Sequence, residues 1–146
     1  MNRDNTNQLT PPRRSNLSII QRLIVAYKLW HEFLPHFPKT SRYTLGEKID
    51  SLFIKITELV FTASLLPRNQ KLPYVKKAAA ELEVLKFFLQ ISWEIKALEN
   101  KKFILLSEKL DEIGKMLGGW LRQLIQENSA INSGEKGSEF RRPAKT

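Results

Sequence analysis

Apolar residues recur every three or four positions along most of this chain, and prolines and polar breaks divide the recurrence into four segments. Such spacing lines one face of an α-helix. The first segment carries Leu17, Ile20, Ile24, Tyr27 and Leu34 before Pro35 and Pro38 close it, because proline has no amide to continue the ladder. The second opens after Thr40-Ser41, either of which supplies a capping hydroxyl. It runs Leu45, Ile49, Leu52, Ile56, Leu59, Ala63 and Leu66, a heptad-like stripe, up to Pro67. The third starts near Pro73 and has two stripes, one of Val75, Ala78, Leu82, Leu85 and Leu89 and one of Val84, Phe88, Ile91, Ile95 and Leu98. The fourth begins near Asn100, read as its cap. It places Phe103, Leu106, Leu110, Ile113, Leu117, Trp120 and Leu124 on one face until Glu127-Asn128.

No run alternates with strand periodicity and no Asn-Gly hairpin signal occurs. Four amphipathic segments with short connections therefore predict an all-α fold, an antiparallel up-down-up-down four-helix bundle over residues 17–128. Residues 1–16, with Pro11 and Pro12, and residues 129–146, rich in Gly, Ser and Lys, lack the periodicity and read as flexible tails. A bundle helix needs only about three of seven positions apolar. The second stripe of the third helix, and Phe53 and Val60 beside the main stripe of the second, are surplus on that count. Either the chain associates with itself, or the internal face is wide and some apolar side chains are exposed.

Composition narrows the setting. The chain has 146 residues and no cysteine, which fits one domain in a reducing cytoplasm and removes disulfides and thiolate metal sites. The polar amino terminus has no signal-peptide core, and no apolar run is long enough to span a membrane. With 24 Lys and Arg against 15 Asp and Glu, the net charge is +9, spread as +2 over residues 1–16, +5 over 17–128 and +2 over 129–146. An excess of this kind favours nucleic acid, an anionic membrane surface or an acidic protein without choosing between them.

Candidate chemistry is sparse. His31 and His36 stand five apart, off the i, i+4 spacing of a helical metal site, and no Glu-x-x-His pair marks a di-iron bundle. No phosphate-cradling glycine loop or nucleophile elbow is present. The expectation is a non-enzymatic protein with no metal and no cofactor. Gly114, Gly118 and Gly119 fall inside the fourth helix, where each costs about 1 kcal/mol against alanine, so close helix packing is expected there. Glu108, Asp111 and Glu112 read as solvated. Basic residues cluster at Arg68, Lys71, Lys76 and Lys77 and again at Lys101 and Lys102, and Lys76, Lys86 and Lys96 stand ten apart as if tracking one turning side of the third helix. Such lysines suit phosphate contacts or a plain solvated face. Trp30, Trp93 and Trp120 lie on or beside apolar stripes, as core or interface residues rather than base-stacking platforms.

Three runs, HFPKTSRYTLGEKI at 36–49, KAAAELEVLKFFLQI at 77–91 and LDEIGKMLGGWLR at 110–122, together resemble the accessory variability determinant (Avd) family of diversity-generating retroelements. That family belongs to a wider group of bacterial four-helix bundle proteins, which includes ribosomal RNA intervening-sequence proteins. The likeness spans roughly residues 20–125. It implies a homopentameric barrel that partners a retroelement reverse transcriptase and binds template RNA or cDNA during mutagenic retrohoming. By the same resemblance, the basic position of helix three is Lys86 in LKFFLQ and the one after TLG is Lys48, with Arg42 in the same run. Where relatives carry a second basic residue one turn past Lys86, this chain has Gln90, and Lys76, Lys77 and Lys96 are the neighbours able to compensate; Lys101 and Lys102 complete the candidate set. Tyr43, Leu45 and Gly46, like Asp111, Gly114, Gly118, Gly119 and Trp120, are read as packing and cap determinants. A second reading is a protein-interaction module of the wider bundle family, in which the basic face docks an acidic partner and no nucleic acid is bound.

Overall fold

The computed structural model describes the backbone of residues 14–141 and the side chains of residues 18–130. Four long helices follow in chain order: α1 (Arg14–Phe33), α2 (Glu47–Leu65), α3 (Leu72–Glu94) and α4 (Asn100–Arg141). Each packs on its chain neighbours and α1 closes against α4. Contacts pair the end of one helix with the start of its neighbour: Tyr27 of α1 with Asp50 of α2, Phe88 of α3 with Lys48 of α2, Trp93 of α3 with Phe103 of α4. All neighbours are therefore antiparallel, as short connections demand. No strand occurs among the described residues, so the all-helical bundle expected from the four stripes is what forms.

One core runs through the bundle. Ile19, Leu23, Ala26 and Trp30 of α1 meet Ile49, Phe53, Ile56 and Val60 of α2, Val75, Leu82, Leu85 and Leu89 of α3, and Leu106, Leu110, Ile113 and Leu117 of α4, all buried. Phe53 and Val60, counted as surplus from the sequence, are fully buried, whereas Leu45 and Leu59 of the main stripe are only partly so. Because α2 has α1 on one side and α3 on the other, its inward face is wider than a single heptad row. Phe53 fills that width, lying edge-on to Tyr27 at 5.8 Å and stacked on Trp30 at 6.3 Å between centroids.

The ends of the helices depart from expectation. No side-chain cap bond forms at Ser41; Lys39–Ser41 is itself a helical turn that leads through a π-helical segment, Arg42–Gly46, into α2. Arg42 folds back to donate through Nη2 to the carbonyls of Pro35 and Phe37, at 2.8 and 3.0 Å. Gly46 is buried, and a Cβ there would stand 3.1 Å from the Leu34 side-chain end, a tight approach that an alanine would relieve only by pushing Leu34 back a few tenths of an ångström. Asn100 does not cap α4; its Oδ1 accepts from the Trp93 indole at 2.8 Å, and the Trp93 ring stacks on Phe103 at 5.1 Å. The α3 helix ends at Glu94, so Ile95 and Leu98 of its second stripe lie in the following turn. There Lys96 takes a left-handed conformation, φ 64°, while the amides of Ala97 and Leu98 return to Ser92 O.

Helix α1 starts at Arg14, and α4 runs to Arg141, past the end of its apolar stripe; an established helix extends by one hydrogen bond per residue without needing a packed face. The rest of the two expected tails, 1–13 and 142–146, lies outside the described residues.

Candidate functional site

The eight basic residues singled out from the sequence do not converge on one site. Arg42, Lys48, Lys96, Lys101 and Lys102 sit toward the end of the bundle where α1 runs into α2 and α3 into α4. Lys76 and Lys77 belong to the opposite end, near Arg68 and Lys71 of the α2–α3 connection, and Lys86 is midway along α3. Lys76, Lys86 and Lys96 do not share a side: ten residues advance a helix by about 1,000°, leaving about 80° between successive members, and Lys96 is beyond the helix.

Their electrostatic states also differ. Lys86 is a bridge between helices, its Nζ 3.1 Å from Glu83 and 3.2 Å from Asp111 across the α3–α4 seam. Burial acts to lower the pKa of this ammonium, but the hydrogen bonds and charges of the two carboxylates outweigh it and the net shift is upward. Gly114 makes room for the bridge: a Cβ on it would stand 3.2 Å from Lys86 Nζ and 3.5 Å from Leu82. The approach expected at the glycines therefore holds at Gly114 alone and involves side chains. At Gly118 and Gly119 a Cβ would meet only the Arg122 guanidinium, 3.9 and 4.0 Å away, so nothing packs closely against them.

Lys102 sits 5.3 Å from the centroid of Phe33 and pairs loosely with Glu99 at 3.9 Å. Lys48 is exposed, 5.9 Å above the Phe88 ring. Arg42 is committed to carbonyls, and its buried Nε has no partner. Lys76, Lys77, Lys96 and Lys101 are exposed and, among the described residues, make no ion pair. Of the eight candidates, these four and Lys48 are the cations available to an external anion; Lys28, Lys39 and Lys115, which the sequence reading did not single out, are likewise exposed and make no ion pair among the described residues.

Two further features escaped the sequence reading. Asp50 accepts from both the Tyr27 hydroxyl, 2.9 Å, and the Trp30 indole, 3.2 Å, through the same oxygen, tying α1 to α2. Burial, then the hydrogen bond and charge of Asp50, push the Tyr27 phenol upward. His31 stacks on Tyr27 at 6.1 Å. The second feature is a groove of about 510 Å³ along the outer α1–α2 seam, lined by Ile24, Tyr27, Lys28, Ile54, Thr57, Glu58 and Phe61. Glu58 interrupts its apolar positions along α2, which is why no stripe announced it. Of the second stripe read on the third segment, Val84 and Ile95 are exposed and Ile91 is half-buried, but Phe88 packs against the core and Leu98 is buried in it; Phe87, outside that stripe, is exposed as well.

Among the described residues no group of three or more His, Cys, Asp or Glu is placed to hold a metal ion, and no helix is long and apolar enough to cross a membrane. Compared with known proteins, the chain matches a family model described as bAvd-like over residues 15–124, the stretch that holds α2 and α3 whole and most of α1. No curated protein matches it.

Proposed function

The chain belongs to the bAvd-like family, and on that footing we propose that it is a non-enzymatic, cytoplasmic accessory protein of a diversity-generating retroelement. In this reading it binds the element's reverse transcriptase and its template RNA or cDNA through the basic surface of a homopentameric barrel, and so supports mutagenic retrohoming. The observation that carries the nucleic-acid part is that five of the candidate lysines are exposed and make no ion pair among the described residues, Lys76 and Lys77 at one end of the bundle and Lys48, Lys96 and Lys101 at the other, on a chain of net charge +9. Unneutralised lysines displace counterions from phosphates, whereas a lysine already held by carboxylates gains little by doing so. Repetition around an assembly multiplies each weak contact.

The division of labour shifts accordingly. Lys86, the position the family likeness favours, acts chiefly to join α3 to α4, and Arg42 to fix the entry to α2. The lysines at the ends of the bundle bind phosphate, without base readout. The same internal pairing of Lys86 favours the second reading, a protein-interaction module, because it removes charge from mid-bundle. Fluorescence anisotropy with an unrelated RNA and a single-stranded DNA, at low and moderate salt, separates the two. The accessory-protein reading expects binding to both that weakens steeply with salt; a partner-docking module gives no binding at either concentration.

A further inference from the structure

Of the three tryptophans, Trp93 alone is exposed: Trp30 is fully buried in the core and Trp120 is partly buried against it. The exposure of Trp93, 38%, is that of a ring held still. The left-handed turn at Lys96, with the Ala97 and Leu98 amides returning to Ser92 O, brings the start of α4 back beside the last turn of α3. There the indole N–H donates to Asn100 Oδ1 at 2.8 Å, and the ring stacks nearly parallel on Phe103, 13° between planes and 5.1 Å between centroids. Phe103 is itself partly buried against the core. With one face on Phe103 and the N–H edge on Asn100, solvent reaches the opposite face of an indole whose polar group is already satisfied.

This ring does not belong to the outer face of α3. It comes nine residues after Val84, about 180° around the helix, and seven after Lys86, only about 20° away. It therefore lies along the α3–α4 seam that Lys86 bridges, at the end of the bundle where Lys96 and Lys101 are exposed and make no ion pair among the described residues. The Lys96 amide donates to the Trp93 carbonyl at 3.0 Å, and Lys101 follows the asparagine that holds the indole. Of the two acids between 93 and 102, Glu94 and Glu99, the second pairs with Lys102 at 3.9 Å. A flat apolar face with free cations beside it matches an unpaired nucleobase and its neighbouring phosphates.

We propose that Trp93 is a stacking platform for an unpaired base, so that this end of the bundle takes single-stranded nucleic acid, with Lys96 and Lys101 on its phosphates. The inference rests on the nucleic-acid part of the function proposed above and names the form of the ligand. A duplex keeps its bases stacked on one another and has no face to offer the indole. Every base has a π-face, so stacking adds affinity without reading sequence. Phe103 and Asn100 fix the ring in advance, and little side-chain ordering offsets the contact.

Binding of the full chain to three probes tests it: an oligothymidylate, an abasic strand of equal length and a duplex of equal length. Trp93→Leu keeps an apolar cover on Phe103 but has no ring, Trp93→Phe keeps a ring, and both lose the bond to Asn100, so a purely structural role would affect the two variants alike. The wild type should bind the oligothymidylate at least about fivefold more tightly than the abasic strand, with its tryptophan fluorescence quenched by the first and not by the second. Trp93→Leu should bind both strands alike, at the wild-type affinity for the abasic one, and should bind the duplex as the wild type does. Trp93→Phe should retain most of the preference for bases. Equal wild-type affinity for the two strands, a preference that survives in Trp93→Leu, or an equal loss in Trp93→Phe would each overturn the proposal and leave phosphate binding standing. No binding to any of the three probes would reject the nucleic-acid reading itself, and the proposal with it.

Discussion

Replacing Phe53 by alanine asks whether the inner face of α2 is as wide as the structure has it. The ring is fully buried and stands against Tyr27 and Trp30 of α1. Truncating a buried phenylalanine removes its transfer free energy and leaves a cavity, together about 3 to 5 kcal/mol. Lost ring contacts worth roughly 0.5 to 1.5 kcal/mol beyond area burial place Phe53 toward the top of that range. Because a domain of this size holds about 5 to 15 kcal/mol in total, a loss of about 4 consumes much of it. At about 3 to 5 °C per kcal/mol, Tm should fall by roughly 12 to 20 °C. The assay is thermal and urea unfolding followed by circular dichroism, at a concentration low enough to keep the chain monomeric, with Phe61→Ala as the control. Phe61 is half exposed, and its truncation should cost less than about 1 kcal/mol. A Phe53→Ala loss as small as that of Phe61→Ala would refute the placement and return Phe53 to the surplus surface that the heptad spacing assigned it.

Other outcomes follow from local geometry. Lys96→Gly should stabilise the bundle by about 1 kcal/mol, because the turn after α3 holds this residue at φ 64°, where a side chain is strained and glycine is not; unchanged or lower urea stability would contradict that backbone. Gly119→Ala should stabilise α4 by roughly 0.5 to 1 kcal/mol, since the added Cβ meets nothing nearer than 4.0 Å, and a destabilised variant would mean that something packs on this face. Stability should fall on the alkaline side. Tyr27 and Lys86 both have folded pKa values raised above 10.0 and 10.5, so the folded chain holds protons that the unfolded chain releases. Their contribution is complete below about pH 10 and is lost as pH rises through the folded values. Tyr27→Phe with Lys86→Met should flatten that decline in a Tm series from pH 9 to 11.5, and an unaltered slope would remove both groups as its cause.

The helices were legible because burial imposes a period that survives in one chain read alone, and the buried rows of α3 and α4 match predicted stripes. In α1 the period held but the face did not, since Ile19, Leu23, Ala26, Trp30 and Phe33 are buried while Ile24 of the predicted stripe is exposed and Ile20, Tyr27 and Leu34 are only partly covered. What stayed hidden depends on residues far apart in sequence. Asp111 lies 25 positions beyond Lys86, so nothing local distinguishes a lysine bridged to another helix from one facing solvent. Asp50 likewise looks like any polar residue of a first turn until α1 brings Tyr27 and Trp30 to it. The cap assignments at Ser41 and Asn100 failed for a related reason: residue type marks where a helix begins, but the hydroxyl or amide answers to whichever partner tertiary packing brings within reach, as the Trp93 indole does for Asn100. The groove between α1 and α2 was invisible because two helices contribute to it and neither carries an unbroken apolar row there.

Nucleic-acid binding by unpaired lysines at the ends of the bundle is the central claim, and the salt dependence of binding tests it most directly. For a single strand, log K falls against log salt with a slope of about −0.7 per phosphate neutralised. Each chain carrying Lys76→Gln with Lys77→Gln loses two free cations, so the slope should become shallower by about 1.4 per bound chain. Lys86→Gln should leave the slope unchanged, because Glu83 and Asp111 already hold that ammonium. Equal slopes for wild type and the Lys76/Lys77 variant, or a loss confined to Lys86→Gln, would contradict the account.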